Sequence, residues 1–411
     1  MHLRFSTAGE SHGKALVALV EGLPAGLPVS ADAVDRELAR RMQGYGRGAR
    51  MKIERDHIEW LSGVRAGETL GSPVAMLIPN RDWDNWEDVM AHEAAQPGEL
   101  RRRRVTRPRP GHADLVGVLK YDRVDARDVL ERASARETTA RVAAGALGRR
   151  LLEEFGVEIG SHVVSLGGVM VSPPTELPVP LNTAADRSEV RTLDPAAEPE
   201  IIRRIDAARK AGDTLGGEVE VVARGVVVGL GSHVSWDRKL DGRLAGMLMS
   251  IPAVKAVEVG LGVEAARRPG SKVHDPIDPS PRAGQVPPLA GDTRAGFRRR
   301  TNNAGGLEGG ITTGEPLVIR VAMKPISTLM SPLPTVDLAT GQSASAQSER
   351  SDVTAVPAMG VIAEAMVALV LADAMLEKFG GDSLAEMRRN VDGYLAGLGA
   401  RWAGLRQAGP A

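Results

Sequence analysis

Short runs of β-branched and aliphatic residues recur along the chain, separated by segments with helical periodicity. Runs of this kind, bounded by glycine, proline and polar residues, predict strands. The predicted strands are Ala15–Glu21, Ile58–Ser62, Val74–Ile78, Val163–Val169, Glu218–Val228, Val254–Val259 and Leu317–Ala322. They do not alternate strictly with the predicted helices, which argues against a doubly wound parallel sheet.

Apolar residues spaced three or four positions apart predict helices between these strands. Ser30 precedes one such helix as its N-cap, and Pro357 stands where a long apolar helix begins. Ser134 and Glu137 match a capping box ahead of an alanine-rich helix that ends near Phe155. Further helices are predicted over residues 201–208, 239–250 and about 382–395.

The apolar stretch from Ala355 to Phe379 contains charged residues, so a buried helix fits it better than a membrane span. The glycine-rich loops that hold nucleotides in the common folds are missing from the sequence. No linker or internal repeat divides the chain. We therefore predict an α+β fold in one large domain over residues 1–411, with a flexible tail from about residue 398.

The overall composition narrows the class of protein. Hydrophobic residues make up 43% of the chain and charged residues 25%, and the formal net charge is zero. This balance argues against a general nucleic-acid binder. The absence of cysteine excludes disulfides and thiolate chemistry, and no secretory leader begins the sequence. We expect a cytoplasmic protein with no membrane partner and no metal site.

Positive charge is nevertheless concentrated in three short segments. Six arginines and no acidic residue occur in LRRRRVTRPRPGHA, over residues 100–113. Arg40, Arg41, Arg47 and Arg50 surround the turn GYGRG, and a third arginine run leads into TNNAGG. Each cluster by itself could equally be a solvated surface. The neighbouring glycine, proline and histidine residues favour sites for phosphate or carboxylate groups.

Two histidines lie beside glycine, where an imidazole can approach a ligand closely and transfer protons near neutral pH. These are His12 in GESHG and His112 in RPGHAD. A lone loop histidine is more often structural, so each motif alone is weak. Arg109 is flanked by two prolines that restrict its backbone, which lowers the entropic cost of holding its guanidinium inward.

Three further segments could bind an anionic ligand. Ser134, Ala135 and Arg136 open a predicted helix, whose N–H groups favour phosphate, although Ser134 could serve only as a cap. Lys324 follows a predicted strand, and hydroxyl-bearing residues come directly after it. In RSDVTAVPA an arginine and Asp352 precede the long apolar helix, where they could form a surface pair or act on a ligand.

In this order, the motifs GESHG, RRMQGYGRG, RPGHAD, RASARET, RRTNNAGG, KPIST and RSD-x-x-AVPA closely resemble the chorismate synthase family. They span more than three hundred residues. The resemblance implies a carbon–oxygen lyase that eliminates phosphate from 5-enolpyruvylshikimate 3-phosphate to give chorismate, the last step of the shikimate pathway. It also implies reduced FMN as cofactor, a homotetramer, and a core of helices sandwiched between antiparallel sheets.

The same resemblance assigns roles to individual residues. His12 would protonate the departing phosphate, His112 would serve the N1 side of the flavin, and Asp352 would help to move a proton at its N5 side. The substrate or NADP would contact Arg41, Arg47, Arg50 and Arg109. FMN would contact Ser134, Ala135, Arg136, Ala253, Gly309, Lys324, Pro325, Ile326, Ser327, Thr328 and Arg350.

The chain departs from the family's pattern at Pro252 and Thr354, and its proline-rich segment 276–295 is longer than expected. Two other functions remain open from the sequence. One is a non-catalytic protein that binds phosphate or another polyanion. The other is a bifunctional enzyme that reduces its own flavin with NADPH. Since we find no added flavin-reductase segment, we favour flavin reduced by an external reductase.

Overall fold

The structure is a computed structural model that describes residues 2–48, 56–93, 103–279, 297–348 and 351–407. The helices are α1 (Ala31–Met42), α2 (Asp114–Tyr121), α3 (Arg127–Ala133), α4 (Thr138–Glu153), α5 (Leu181–Ala185), α6 (Glu198–Ala211), α7 (Leu240–Met249), α8 (Val356–Phe379) and α9 (Leu384–Gln407). Short 3-10 turns span Trp83–Asn85, Ala135–Glu137, Trp236–Arg238, Gly262–Arg267 and Gly270–Lys272.

The longer strands form two antiparallel sheets. These strands are β1 (Arg4–Ala8), β2 (Ala15–Glu21), β3 (Glu59–Ser62), β6 (Val74–Pro79), β7 (Glu158–Leu166), β8 (Val169–Met170), β9 (Gly217–Arg224), β10 (Val254–Val259) and β15 (Leu317–Met323). The small ribbons use β4 (Val64–Arg65), β5 (Glu68–Thr69), β11 (Ile277–Pro279), β12 (Phe297–Arg299), β13 (Leu307–Glu308), β14 (Ile311–Thr312), β16 (Pro334–Val336) and β17 (Ser343–Ser345).

The first sheet has the strand order β1-β2-β6-β3, and the second has the order β10-β15-β9-β7-β8. In β2 the buried positions alternate, with Leu16, Ala18 and Val20 fully buried, because successive side chains of a strand point to opposite faces. One face of the first sheet therefore faces the protein interior. In β7 nearly every residue is buried, so the second sheet is covered on both faces at that strand.

A layer of helices lies between the two sheets. Helix α4 packs on β2 and on α8, and α8 in turn packs on β7 and β9. A Cβ atom at Gly145 would lie 2.4 Å from the Cβ of Ala365, so only glycine permits this approach of the two helices. The predicted sandwich of helices between antiparallel sheets is confirmed.

Helix α8 is the central element of the core. Among the described residues it alone is long and apolar enough to cross a membrane, but 94% of its most apolar window is buried inside the fold. This burial agrees with the prediction of a core helix. Pro357 occupies its first turn, where a missing backbone N–H costs nothing.

Several local predictions differ from the structure. Ser30 caps α1 as predicted, by accepting a hydrogen bond from the Ala33 N–H. Ser134 instead caps the short 3-10 turn before α4, and the Glu137 carboxylate binds Thr7 and Arg141 rather than closing a capping box. The capping-box prediction is therefore wrong, because tertiary contacts occupy the glutamate. Helix α9 also continues to Gln407, well beyond its predicted end near residue 395.

Candidate active site

The predicted site residues from distant parts of the chain meet in one cleft of about 500 Å³. The cleft lies where the loop after β1, the end of α1, the loop before α2, the turn before α4 and the loop after β15 converge on the start of α8. The predicted residues that line it are His12, Arg41, Arg47, Arg109, His112, Ser134, Ala135, Ala253, Lys324, Ile326, Ser327, Thr328 and Asp352.

His12 is held by a carboxylate that belongs to a different element. Its Nδ1 lies 2.9 Å from the Glu131 carboxylate of α3, which also accepts the His12 backbone N–H at 3.0 Å. Arg127 donates to the same carboxylate at 2.7 Å. Burial raises the pKa of Glu131, but the hydrogen bond and charge of His12, together with Arg127, lower it overall. Glu131 therefore remains a carboxylate that orients the imidazole.

His112 has an equivalent partner in Asp114, the first residue of α2. Its Nδ1 lies 2.5 Å from Asp114 Oδ1, and the Asp114 side chain is fully buried. Arg109 Nε donates to the same carboxylate at 2.8 Å. Burial opposes the charged form of Asp114, but the hydrogen bonds from His112 and Arg109 hold its pKa well below the usual range. Each histidine of the cleft is thus braced by one buried carboxylate.

Arg109 is more constrained than the sequence suggested. Besides its contacts with Asp114, it donates from Nη1 to the Thr328 hydroxyl at 2.9 Å, and its Nη2 lies 3.1 Å from His112 Nδ1. The bond to Thr328 ties the loop before α2 to the loop after β15. Arg109 therefore places His112 and Thr328, in addition to contributing positive charge to the cleft.

Arg41 is a buried cation of the cleft that forms no ion pair with a carboxylate among the described residues. Only 4% of its surface is exposed, and its hydrogen bonds go to the Thr138 hydroxyl and the Ala135 carbonyl. Its buried Nη1 has no hydrogen-bond partner among the described residues. Burial, followed by repulsion from Arg47, lowers the pKa of Arg41 to about 10. A buried guanidinium in this state gains most from an incoming anion.

The GYGRG turn places Arg47 beside Asp352. Arg47 Nε lies 3.3 Å from Asp352 Oδ2, while the Gly48 N–H donates to Asp352 Oδ1 at 2.6 Å. Gly46 has a φ of +91°, and a Cβ atom there would approach both Ile205 and Thr354 at 3.0 Å. Glycine is therefore needed for the turn to pack against the segment that carries Asp352.

The loop after β15 closes the opposite side of the cleft. Lys324 Nζ donates to the Gly111 carbonyl at 2.5 Å, which fixes the ammonium beside the His112 loop. Gly111 has a φ of +79°, and a Cβ atom there would lie 3.1 Å from that Nζ. Ala253, which the family pattern assigned to the cofactor, also lines the cleft, with an uncommon positive φ of +70°.

Three predicted cofactor residues do not line the cleft. Arg136 points instead to Asp56, at 2.6 Å, and to Asn80. A buried carboxylate therefore partners its guanidinium in this structure, and its assignment to the cofactor stays a prediction. Gly309 lies in the β13–β14 turn, next to His233, and Pro325 is also outside the lining. Arg50, Arg350 and most of the segment 276–295 fall outside the described residues.

Sequence reasoning missed the residues that orient the histidines. Glu131 was unrecognised because 119 positions separate it from His12, and no local pattern links the two. Asp114 had a signal, since it follows His112 by two residues in RPGHAD. Trp86 also escaped notice, although its ring stacks on that of His12.

The comparisons with known proteins agree with this site. The family model described as chorismate synthase matches residues 3–376. The chain is 58% identical to a chorismate synthase of Trichlorobacter lovleyi over 400 residues, covering 96% of this chain and 99% of that protein. It is 54% identical to one of Thermobifida fusca over 402 residues, covering 96% and 99%. A crystal structure of chorismate synthase superposes with a TM-score of 0.76 at 43% identity, covering 97% and 99%.

The chain therefore belongs to the chorismate synthase family, whose members are carbon–oxygen lyases that depend on a flavin.

Proposed function

We propose that the cleft binds 5-enolpyruvylshikimate 3-phosphate beside reduced FMN and eliminates phosphate to give chorismate. The observation that carries this proposal is the buried guanidinium of Arg41, whose Nη1 has no hydrogen-bond partner among the described residues and which shares one cleft with two carboxylate-braced histidines. A substrate with one phosphate and two carboxylates supplies an anion for the Arg41 guanidinium. A protein that merely binds a polyanion would not require the two braced imidazoles, so that alternative is not favoured.

The residues present fit a flavin phosphate and its ring system. Hydroxyl groups of Ser134, Ser327 and Thr328 and the ammonium of Lys324 lie along the same cleft, and Ala253 faces it without a bulky side chain. When bound, reduced FMN supplies electron density as the carbon–oxygen bond breaks. We assign these residues, with Ala135 and Ile326, to the flavin. Gly309, Pro325 and Arg136 receive no direct contact in this proposal.

The chain's own residues then manage the charge and the protons. The carbon–oxygen bond breaks with its electron pair leaving on the phosphate, a ring proton leaves from the other end of the 1,4 system, and a conjugated diene results. Glu131 holds Nδ1 of His12, so Nε2 gives the proton to the departing phosphate. Arg41 and Arg47 stabilise its developing negative charge. Asp352 helps to move the ring proton, and His112 serves the N1 side of the flavin.

The decisive experiment is anaerobic mixing of the protein with 5-enolpyruvylshikimate 3-phosphate and dithionite-reduced FMN, with chorismate followed by its ultraviolet absorbance. We expect turnover with reduced FMN and none with oxidised FMN. His12→Asn should lower kcat by about 10²–10⁴-fold, the usual contribution of a general acid. Absence of chorismate from a folded protein with reduced FMN would refute the proposal.

We also propose that the flavin arrives already reduced from a separate reductase; in support, one family model covers residues 3–376 and with them every residue that lines the cleft. Incubation with NADPH and oxidised FMN tests this directly. Formation of chorismate under those conditions would instead identify a bifunctional enzyme that reduces its own flavin.

We propose that the protein is cytoplasmic and that it forms a homotetramer. Helix α2 and the residues after it expose the apolar side chains of Val116, Leu119, Tyr121 and Val124, each more than 60% accessible. Apolar side chains clustered in this way favour burial between subunits. Light scattering coupled to gel filtration tests the assembly, since a monomeric mass would contradict it.

A further inference from the structure

Trp86 lies against His12, but it is not among the residues that line the cleft. The two rings are stacked, with their centroids 3.8 Å apart and an angle of 23° between their planes. Trp86 follows a short 3-10 turn after β6, whereas His12 belongs to the loop after β1. The contact therefore joins the histidine to an element that contributes no side chain to the described lining of the cleft.

The indole is itself fixed by several groups. Its Nε1 donates to Asp82 Oδ2 at 2.9 Å, and the guanidinium carbons of Arg103 and Arg127 lie 4.4 and 5.1 Å from its ring centroid. Guanidinium groups over an indole face are attracted by the ring quadrupole. Arg127 also donates to Glu131, the carboxylate that binds His12. One arginine thus supports both contacts that orient the imidazole.

The loop that carries His12 is anchored close to the same turn. Asn80, at the start of the segment that leads to Trp86, donates to the carbonyls of Glu10 and Gly13, which flank His12. The side-chain oxygen Oδ1 of Asn80 in turn accepts a hydrogen bond from Arg136. Arg136, which is buried, thus supports through Asn80 the loop that carries His12.

We propose that Trp86 is a positioning residue that holds the His12 ring in the plane from which it donates its proton. Glu131 holds Nδ1 through Oε2 at 2.9 Å and Oε1 at 3.1 Å, so these contacts act at one edge of the ring. The stacked indole contacts the face of the ring and so limits the tilt of its plane. The proposal rests on the proposed role of His12 as proton donor, and a small error in the position of such a group can lower turnover by about 100-fold.

The kinetic test compares Trp86→Leu with Trp86→Phe. Trp86→Leu should lower kcat by about 10–100-fold and change KM less than about threefold, because the indole does not line the cleft. Trp86→Phe keeps an aromatic face and should recover most of the loss. Trp83→Phe, in the same turn, is the matched control and should retain full activity. A larger effect on KM than on kcat would overturn the proposal.

A double-mutant cycle identifies the residue through which Trp86 acts. In a His12→Asn background, Trp86→Leu should cost no further kcat, because the ring it positions is gone. Equal losses from Trp86→Leu in both backgrounds would show that it acts independently of His12 and would refute the proposal.

The stack can also be measured without turnover. The emission of Trp86, isolated as the difference between the wild-type and Trp86→Phe spectra, should change in His12→Asn. The emission of a Trp86→Phe protein should not respond to the same substitution. If His12→Asn retains full turnover while this spectral change is present, the role of His12 as proton donor is refuted, but the contact between the two rings is confirmed. If the spectral change is missing, the positioning proposal fails whatever the turnover.

Discussion

Arg40 and Arg41 are adjacent in sequence, yet they lie in opposite electrostatic environments. The Arg40 guanidinium binds three carboxylates, those of Glu37, Asp186 and Glu364, at 2.7–2.9 Å. Among the described residues, the Arg41 guanidinium forms hydrogen bonds only with a hydroxyl and a carbonyl, and its Nη1 has no hydrogen-bond partner. The charge of Arg40 is therefore balanced without a ligand, whereas the charge of Arg41 is stabilised when an anionic ligand binds.

The carboxylates around Arg40 belong to a charge cluster centred on Glu364, a fully buried residue of α8. Arg40, Arg149 and Arg191 all bind it, at 2.9, 2.6 and 3.1 Å. Ser161 and Asn182 add hydrogen bonds. Burial alone would raise the pKa of Glu364, but the three arginines hold it well below the usual range. The cluster joins α1, α4, α5, α8 and β7, so it holds the end of α1 from which Arg41 enters the cleft.

The largest effect should follow from breaking this cluster. Glu364→Gln leaves three guanidinium groups, one buried and two half-buried, without their shared counter-charge, and breaking a buried ion pair typically costs about 3–5 kcal/mol. We expect a loss of this size in the free energy of unfolding, measured by urea denaturation. A variant with an unchanged denaturation midpoint would show that the cluster contributes nothing to stability.

The same cluster predicts a dependence of stability on pH. The pKa of Glu364 is lowered in the folded state from an ordinary value of 4.5, so its contribution is fully present above pH 4.5 and is lost as the pH falls below it. The difference in unfolding free energy between wild type and Glu364→Gln should therefore shrink as the pH is lowered from 6 toward 3. A constant difference over that range would contradict the assignment.

Substitution of Arg41, unlike that of Glu364, should lower the affinity for substrate rather than the stability of the fold. Arg41→Met removes a buried charge that forms no ion pair within the described part of the chain, so folding should be retained. Loss of one charge-assisted contact costs about 1.5–3 kcal/mol, or roughly 10–150-fold in affinity for the anionic substrate. Equilibrium binding of 5-enolpyruvylshikimate 3-phosphate, with a thermal melt as control, measures both properties. Unchanged affinity would exclude Arg41 as the anion ligand.

The contrast also shows what the sequence could and could not predict. The glycine-flanked histidines and the arginines of the GYGRG turn were identifiable, because local backbone requirements place them near a ligand. Arg136 satisfied the same local criteria, yet Asp56, 80 positions away, occupies its guanidinium. Glu364 looked like an interruption of an apolar helix and is instead the centre of a charge cluster. The partner of a buried charge depends on long-range packing, which a local pattern does not encode.

The smallest effect is expected for a carboxylate on the same helix as Glu364 but near the protein surface. Glu377 binds Arg238 at 3.0 Å and Arg243 at 2.9 Å, and its side chain is 22% exposed. Water screens such a pair, so Glu377→Gln should change the free energy of unfolding by about 0–1 kcal/mol and leave substrate affinity unchanged. Urea denaturation beside Glu364→Gln makes the comparison. Equal losses from the two substitutions would mean that position on α8, rather than burial of the charge, determines the cost.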